Sequence, residues 1–263
     1  MMIDLMIGIA LAACIILITR IKKALTWSAA FLAAGMLIFI SCLSGFWQAV
    51  FLVGMYMAVF LVDMFLGTKM EQATKGIHEK GDIRNHKQIL ANGSAGCICI
   101  LLYKIWGEPA FLIGYYASIY EVMADSIASD VGVLSKKAPR DICTWKKVSR
   151  GISGGVSVLG ILASVIACSC AGILTGMVLK WDGLVVLVVA AAAYLGMIAD
   201  SVIGSIFQEK YSCTVCGMQT EKKIHCGKKT VVSGGMRNIS NNVVNFICTV
   251  LSSVFAYLLT ILV

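Results

Sequence analysis

Eight apolar stretches divide the chain, at about residues 2–19, 24–43, 46–67, 89–106, 109–127, 152–179, 183–204 and 241–262. A helix of any of these lengths crosses ~30 Å of hydrocarbon. The stretches are continuously apolar where barrel strands would alternate, and a spanning helix satisfies its own backbone hydrogen bonds. The pattern predicts an all-α polytopic membrane protein of eight transmembrane helices, with residues 1–263 forming a single integral membrane domain.

The polar breaks carry the charge. Twenty of the 22 Lys and Arg residues fall near residue 20 and in the loops at about 68–88, 128–151 and 205–240; the intervening loops hold only Lys104 and Lys180. The positive-inside rule then places the four basic loops in the cytoplasm and both termini outside. The first stretch is preceded by Asp4 and followed by Arg20, Lys22 and Lys23, the reverse of a signal peptide, and is expected to remain as a helix. Composition agrees: 59% of residues are hydrophobic and 14% charged, too little polar surface for a soluble domain of this size. The net charge of +8 is accounted for by topology and by attraction to anionic membrane lipids, so no nucleic-acid partner is expected.

Within this pattern a tripeptide recurs. Ala124-Asp125-Ser126 and Ala199-Asp200-Ser201 each close an apolar run, and each is followed by a basic loop leading to Ser153-Gly154-Gly155 or Ser233-Gly234-Gly235. The repeat units, roughly 109–179 and 183–262, would run parallel, bringing Asp125 and Asp200 to the same membrane depth at the basic-loop side. A carboxylate near hydrocarbon is costly and points to function. Glu121 lies four residues before Asp125 and shares its helix face, Asp130 lies just beyond, and Asp63, outside the repeat, is expected at the periphery of any site.

Carboxylates without thiol or imidazole neighbours suit Mg²⁺ and its phosphates. Gly151-Ile152-Ser153-Gly154-Gly155 follows Lys146, Lys147 and Arg150, and is expected to open the sixth helix with anion-binding amides; close helix packing explains the glycines equally well. Gln88 with Asn92, and Asn241 with Asn245, are pairs one turn apart at helix starts, suited to a hydrated cation, a headgroup or an interhelical bond.

Cysteine divides into two sets. Seven of the eleven, among them Cys168 and Cys248, fall in apolar helices and read as small hydrophobes. Cys213, Cys216, His225 and Cys226 lie together in the last basic loop, with zinc-ligand types at near-ligand spacing, a candidate structural Zn²⁺ site. His225 and Cys226 are adjacent and make awkward partners on one ion; reduced thiols without metal are the alternative.

Ala124-Asp125-Ser126-Ile127-Ala128-Ser129-Asp130-Val131-Gly132, with Leu134-Ser135, Pro139-Arg140, Thr144, Val148, Gly151 and Ser153-Gly154, resembles the central signature of domain-of-unknown-function family 92. That family takes in the plant phytyl-phosphate kinases and transmembrane protein 19. Further matches are Gln88-Ile89-Leu90-Ala91-Asn92-Gly93, Asp200-Ser201 with Gly204 and Gln208, and Asn241-Asn242-Val243-Val244-Asn245, extending over roughly residues 20–260. The chain departs from the family at Ser126-Ile127, where Thr-Trp is usual, at Asp130 for Glu, Ile152 for Thr and Asn242 for Asp.

The resemblance implies a kinase that moves a phosphoryl group from a nucleoside triphosphate, CTP in the plant enzymes, to an isoprenoid lipid phosphate. On that reading Asp125 and Asp200 ligate Mg²⁺, and Asp130 acts as ligand or orienting base. The nucleotide and phosphate site would draw on Arg84, Gln88, Asn92, Ser129, Arg140, Lys147, Gly151, Ser153, Gly154, Gly155, Ser201, Asn241 and Asn245. The main alternative is a transporter or lipid carrier with an acidic intramembrane site; a scaffold without catalysis is a third reading.

Overall fold

The computed structural model describes residues 2–73, 83–221 and 223–262; Lys75, Lys80 and Lys222, counted above among the basic loops, lie outside the described residues. Eight long helices form: α1 (Met2–Lys22), α2 (Trp27–Ser44), α3 (Phe46–Ala73), α4 (His86–Trp106), α5 (Pro109–Gly132), α6 (Val158–Leu179), α7 (Gly183–Ile206) and α8 (Asn241–Leu262). Seven are long and apolar enough to cross a membrane; the exception is α5, whose apolar sequence is broken by carboxylates and tyrosines. Many large side chains point outward, among them Phe31, Phe65, Ile166, Met177 and Leu187, as a lipid-facing surface requires.

The helix starts follow local chemistry. Thr26 caps α2, Asp182 caps α7, and Asn85 with Gln88 forms a reciprocal capping box on α4. Pro109 begins α5, where its missing N–H costs nothing.

Two boundaries differ from the apolar pattern. Helix α5 continues to Gly132, so Asp130 is helical. Helix α6 begins at Val158, not near 152, because Ser157 caps it and the preceding Gly155–Val156 (β2) pairs antiparallel with Arg140–Asp141 (β1). The glycine segment is therefore a turn and a strand ahead of the helix, not its first turn.

Helix α5 is the centre of the bundle. It packs against α3, α4, α6, α7 and α8, and every residue from Ile113 to Ala124 is buried. Helices α7 and α8 close on it and on one another, while α1 lies mainly against α2. Small residues permit the close approach: a Cβ on Gly160 of α6 would sit 2.6 Å from the Ala128 carbonyl oxygen of α5.

The basic loops gather at one end. The backbone of Arg84 bonds to Ala24 and Thr26, joining the loops before α2 and α4. After α7 the chain forms a three-stranded sheet in the order β4 (Gln219–Thr220), β3 (Lys210–Ser212), β7 (Val231–Gly234), and a separate pair, β5 (Ile224–His225) with β6 (Lys228–Lys229). Both Ala-Asp-Ser helices are thus followed by short antiparallel pairing and then another helix.

Candidate functional site

Three carboxylates converge where α5, α7 and α8 meet. Glu121 interacts electrostatically with Asp125 and Asp200, and Asp125 with Asp200 and Asp130. Glu121 fits because α7 has a notch at Gly196, one turn before Asp200, where a Cβ would lie 2.7 Å from Glu121 Cγ and 2.8 Å from Ser252 Cβ. Ser252 bonds the carbonyls of Ala117 (3.0 Å) and Ala192 (3.1 Å), fastening α8 to both carboxylate-bearing helices. Cys248 of α8 hydrogen-bonds Asp200 and faces all three carboxylates.

What this cluster lacks is positive charge. None of the three carboxylates has an ion-pair partner among the described residues, and Glu121 Oε2 and Asp200 Oδ2 are buried with no hydrogen bond. Nearby in sequence on α8, Asn245 donates through Nδ2 to Asn92 Oδ1 on α4 (3.1 Å), leaving Asn245 Oδ1 a third buried, unpartnered acceptor. Buried carboxylates are paired, bound to a metal or protonated, and unpartnered acceptor oxygens leave room for a cation. The expectation of carboxylates without thiol neighbours is corrected by Cys248, which the bundle packing turns onto Asp200; the other donors are oxygens with no imidazole, and Asp125 and Asp200 would suit a hard divalent cation such as Mg²⁺.

Beyond Asp125, the last turns of α5 form a rim. Asp130 interacts with Arg84 and with Asp63 of α3. Asp63, expected at the periphery, therefore joins the acidic rim, because the end of α3 that carries it comes within electrostatic reach of Asp130 near the end of α5. Beside this rim a largely apolar cavity of about 100 Å³ lies among α1–α5, with Arg84, Asn92, Ser126 and the Tyr56 hydroxyl as its polar lining and Val59, Leu52 and Met36 among its apolar walls.

The Ser153 turn docks on the end of α7. Gly154 has φ +82°, and a Cβ there would lie 2.5 Å from Ser205 Cα; Gly204 in turn faces Ser153. Asp141 clamps the same junction: its Oδ1 accepts from Thr144 N (2.8 Å) and its Oδ2 from Ser205 Oγ (2.7 Å). Burial works to raise the Asp141 pKa, but the hydrogen bonds from Ser205, Thr144 and Cys143 outweigh it and hold the carboxyl below its ordinary range. The turn also grips an anion supplied by the chain itself. Ser153 N–H (3.0 Å) and Ser153 Oγ–H (2.5 Å) both donate to Glu221 Oε1, and Glu221 is within electrostatic reach of Asp200.

Several residues expected at the phosphate site are engaged elsewhere. Gln88 accepts from the Asn85 amide (2.8 Å) as part of a helix cap, and Arg140 Nη1 donates to the Trp145 carbonyl (2.8 Å). Lys147, Ser129 and Asn241 are exposed, and Gly151 provides a left-handed corner at φ +81°. Ser201 follows Asp200, partly buried. Glu121, Cys248 and Glu221 were not singled out as site residues. Glu121 alone left a sequence trace, its four-residue spacing from Asp125.

The Cys213, Cys216, His225 and Cys226 ligand atoms all lie within 4.8 Å of one another. The Cys216 amide first, with Val215 N–H, His225 and Cys216 Sγ, draws the Cys213 thiol down to about 6 against burial. Hydrogen bonding with Cys216 pushes Cys226 up to about 11, so without a cation the cluster retains protons.

A family model described as "Integral membrane protein DUF92" matches residues 10–253. Among curated proteins, the chain is 36% identical over 127 residues to an uncharacterized membrane protein of Methanocaldococcus jannaschii, covering 48% of this chain and 52% of that one. It is 28% identical over 149 residues to the chloroplastic protein VTE6 of Arabidopsis thaliana, covering 53% of this chain and 44% of that one. Against protein PGR of the same plant it is 28% identical over 204 residues, 66% and 68% of the two chains. The chain thus spans about half the length of the first two relatives. No solved structure matches.

Proposed function

The chain belongs to the DUF92 family of integral membrane proteins, and from that premise we propose that it phosphorylates an isoprenyl monophosphate to the diphosphate at the membrane surface. The donor is a nucleoside triphosphate, CTP by the resemblance to the plant phytyl-phosphate kinases. The basic-loop end faces the cytoplasm, where nucleotide is available.

The observation that carries this reading is the convergence of Asp125 and Asp200 with buried, unpartnered acceptor oxygens beside an apolar cavity. In the reaction, a terminal oxygen of the lipid phosphate attacks the γ-phosphorus of the nucleotide. The bond from that phosphorus to the β,γ-bridging oxygen breaks, and nucleoside diphosphate leaves. Such transfer needs alignment and charge neutralisation more than covalent catalysis. Mg²⁺ held by Asp125 and Asp200 would supply the neutralisation. Arg84, on the cavity wall and close to Asp130, is placed to steady the lipid phosphate while its tail lies among Leu52, Val59 and Met36. Asp130, within electrostatic reach of Arg84, would orient the attacking group. The Ser153 amide and hydroxyl form a second anion grip on the end of α7, about 6 Å along the helix from Asp200 at the level of Gly204.

The test is the purified protein in detergent with Mg²⁺, a panel of labelled nucleotides and isoprenyl monophosphates, scored for diphosphate. No diphosphate from any combination defeats the proposal. A transporter or lipid carrier is favoured by one observation, the depth of Glu121, 2% exposed at the centre of the bundle. Ion or lipid flux across liposomes, without diphosphate formation, would establish that reading.

A further inference from the structure

We propose that Cys213, Cys216, His225 and Cys226 bind a single Zn²⁺, and that this ion fixes the loop carrying Glu221 against the Ser153 turn. The proposal stands apart from the kinase reading, since it concerns what holds the loop and not what the loop serves.

Distances come first. With Zn–S near 2.3 Å and Zn–N near 2.05 Å, a tetrahedral site has S···S edges of ~3.8 Å and S···N edges of ~3.6 Å. Cys226 Sγ to Cys216 Sγ is 3.9 Å, Cys216 Sγ to His225 Nδ1 is 3.6 Å, and Cys226 Sγ to His225 Nδ1 is 3.2 Å. A disulfide needs ~2.05 Å between sulfurs, so the thiols are gathered without being joined.

The backbone is shaped for the same purpose at both ends of the ligand set. After β3, Val215 N–H points at Cys213 Sγ (3.4 Å), and Gly217, at φ +71°, donates its N–H to the Cys213 carbonyl (2.9 Å). Sulfur from Cys213 and Cys216 is thereby brought to one side of a tight turn. Between β5 and β6, Cys226 (φ +50°) and Gly227 (φ +72°) make a two-residue hairpin turn of the left-handed kind. That turn answers the objection that adjacent His225 and Cys226 make poor partners, because Cys226 leaves the strand direction and swings its thiol beside the imidazole. A non-glycine residue at positive φ is disfavoured and persists where surrounding interactions hold it.

Stability requires something more than packing in this segment. Between Phe207 and Ser240 the buried side chains include Gln208, Tyr211, Cys213 and Thr220, whereas Val215, Ile224, Val231, Val232 and Met236 are exposed. A unit this small with so little core ordinarily needs a disulfide or a structural metal. Three thiolates and an imidazole select zinc over a hard cation, and Lys223, Lys228 and Lys229 lie close in sequence to offset the net negative charge.

Glu221 sits between the two halves of this ligand set, five residues after Cys216 and four before His225. Clamping both flanks restricts where its carboxylate can reach, and it reaches Ser153. The metal would therefore act at a distance, setting whether the anion grip beside Asp200 is filled by the chain.

The full chain, purified in detergent under reducing conditions without chelator, should contain ~1 zinc per chain by mass spectrometry of the metal. Cys216→Ser and Cys226→Ser should lose it, and Cys143→Ser, at an exposed cysteine outside the cluster, should keep it. Stripped wild-type protein given Co²⁺ should show the visible absorption of tetrahedral thiolate-bound cobalt. Trypsin should cut after Lys223, Lys228 or Lys229 at least ~10-fold faster in stripped than in zinc-loaded protein, with protection restored by Zn²⁺. Wild-type protein without zinc and without the cobalt spectrum would overturn the metal site. Bound zinc with unchanged tryptic rates would overturn its role in fixing the Glu221 loop.

Discussion

Ser153-Gly154-Gly155 and Ser233-Gly234-Gly235 are the same three residues after the same Ala-Asp-Ser helix end, and they fold into different things. In the first, Ser153 is turned inward and gives two hydrogen bonds to Glu221. In the second, Ser233 is exposed in β7. Each turn has one left-handed glycine pressed onto α7 or the residues just after it: Gly154 on Ser205, and Gly235 so close to the Gln208 carbonyl that a Cβ there would overlap it. The glycine shifts by one place between the copies. The duplicated element therefore kept the docking of backbone on helix and lost the anion grip from one copy, which separates what packing needs from what binding needs.

The carboxylates should break the comparison in the other direction, with both copies required. Asp125→Asn or Asp200→Asn is expected to reduce diphosphate formation by ~10²–10³-fold. The double variant should cost little more, since residues that act as a unit are non-additive. A double variant with substantial turnover would show that the two copies are not one site.

The glycines come next. Gly154→Ala should lower stability by ~1–3 kcal/mol, from the left-handed backbone and the contact with Ser205. Gly234→Ala, which meets nothing within 4 Å, should stay within ~0.5 kcal/mol. Thermal unfolding in detergent compares them, and equal losses would mean that the docking glycine holds the same place in both turns.

Serine should sharpen the difference further. Ser153→Ala removes one of two bonds to a carboxylate and should cost ~1–2 kcal/mol, whereas Ser233→Ala should be neutral. The same melts in a Glu221→Gln background should shrink the Ser153 effect.

The smallest expected effect is on the clamp beside the first turn. The Asp141 carboxyl is held below its ordinary value of 3.8, so its contribution is present at neutral pH and is lost as pH falls through the lowered value. The melting-temperature gap between wild type and Asp141→Asn should therefore be widest near neutrality and close below pH 3.8; a gap that widens on acidification would reverse the assignment.

The helices were legible because a continuous apolar run has few alternatives, and α2, α4 and α7 begin where Thr26, Asn85 and Asp182 can cap them. The start of α6 was misjudged because Ile152 continues the apolar pattern; only the pairing of β2 with β1 and the Ser157 cap reveal that the helix waits until Val158. Asp125 and Asp200 stood out by repetition. Cys248 could not, since a thiol in an apolar helix looks the same whether it faces lipid or three carboxylates. Glu221 was hidden for a different reason: its partner Ser153 lies 68 residues away, and no local pattern encodes that reach.

The burial of α5 has a consequence for how the protein is made. A carboxylate at the centre of a helix adds about 2.5–3.5 kcal/mol to its insertion by the translocon. Glu121 and Asp125 both belong to the one helix that falls short of membrane-spanning apolarity. When α5 leaves the ribosome, the notch at Gly196 and the Ser252 hydroxyl that will receive it have not yet been synthesised. The innermost helix must therefore be retained near the translocation channel, or held by α3 and α4, until α7 and α8 arrive. Truncation before residue 241 would remove Ser252 and Cys248, and with them the side of the carboxylate pocket that α8 supplies.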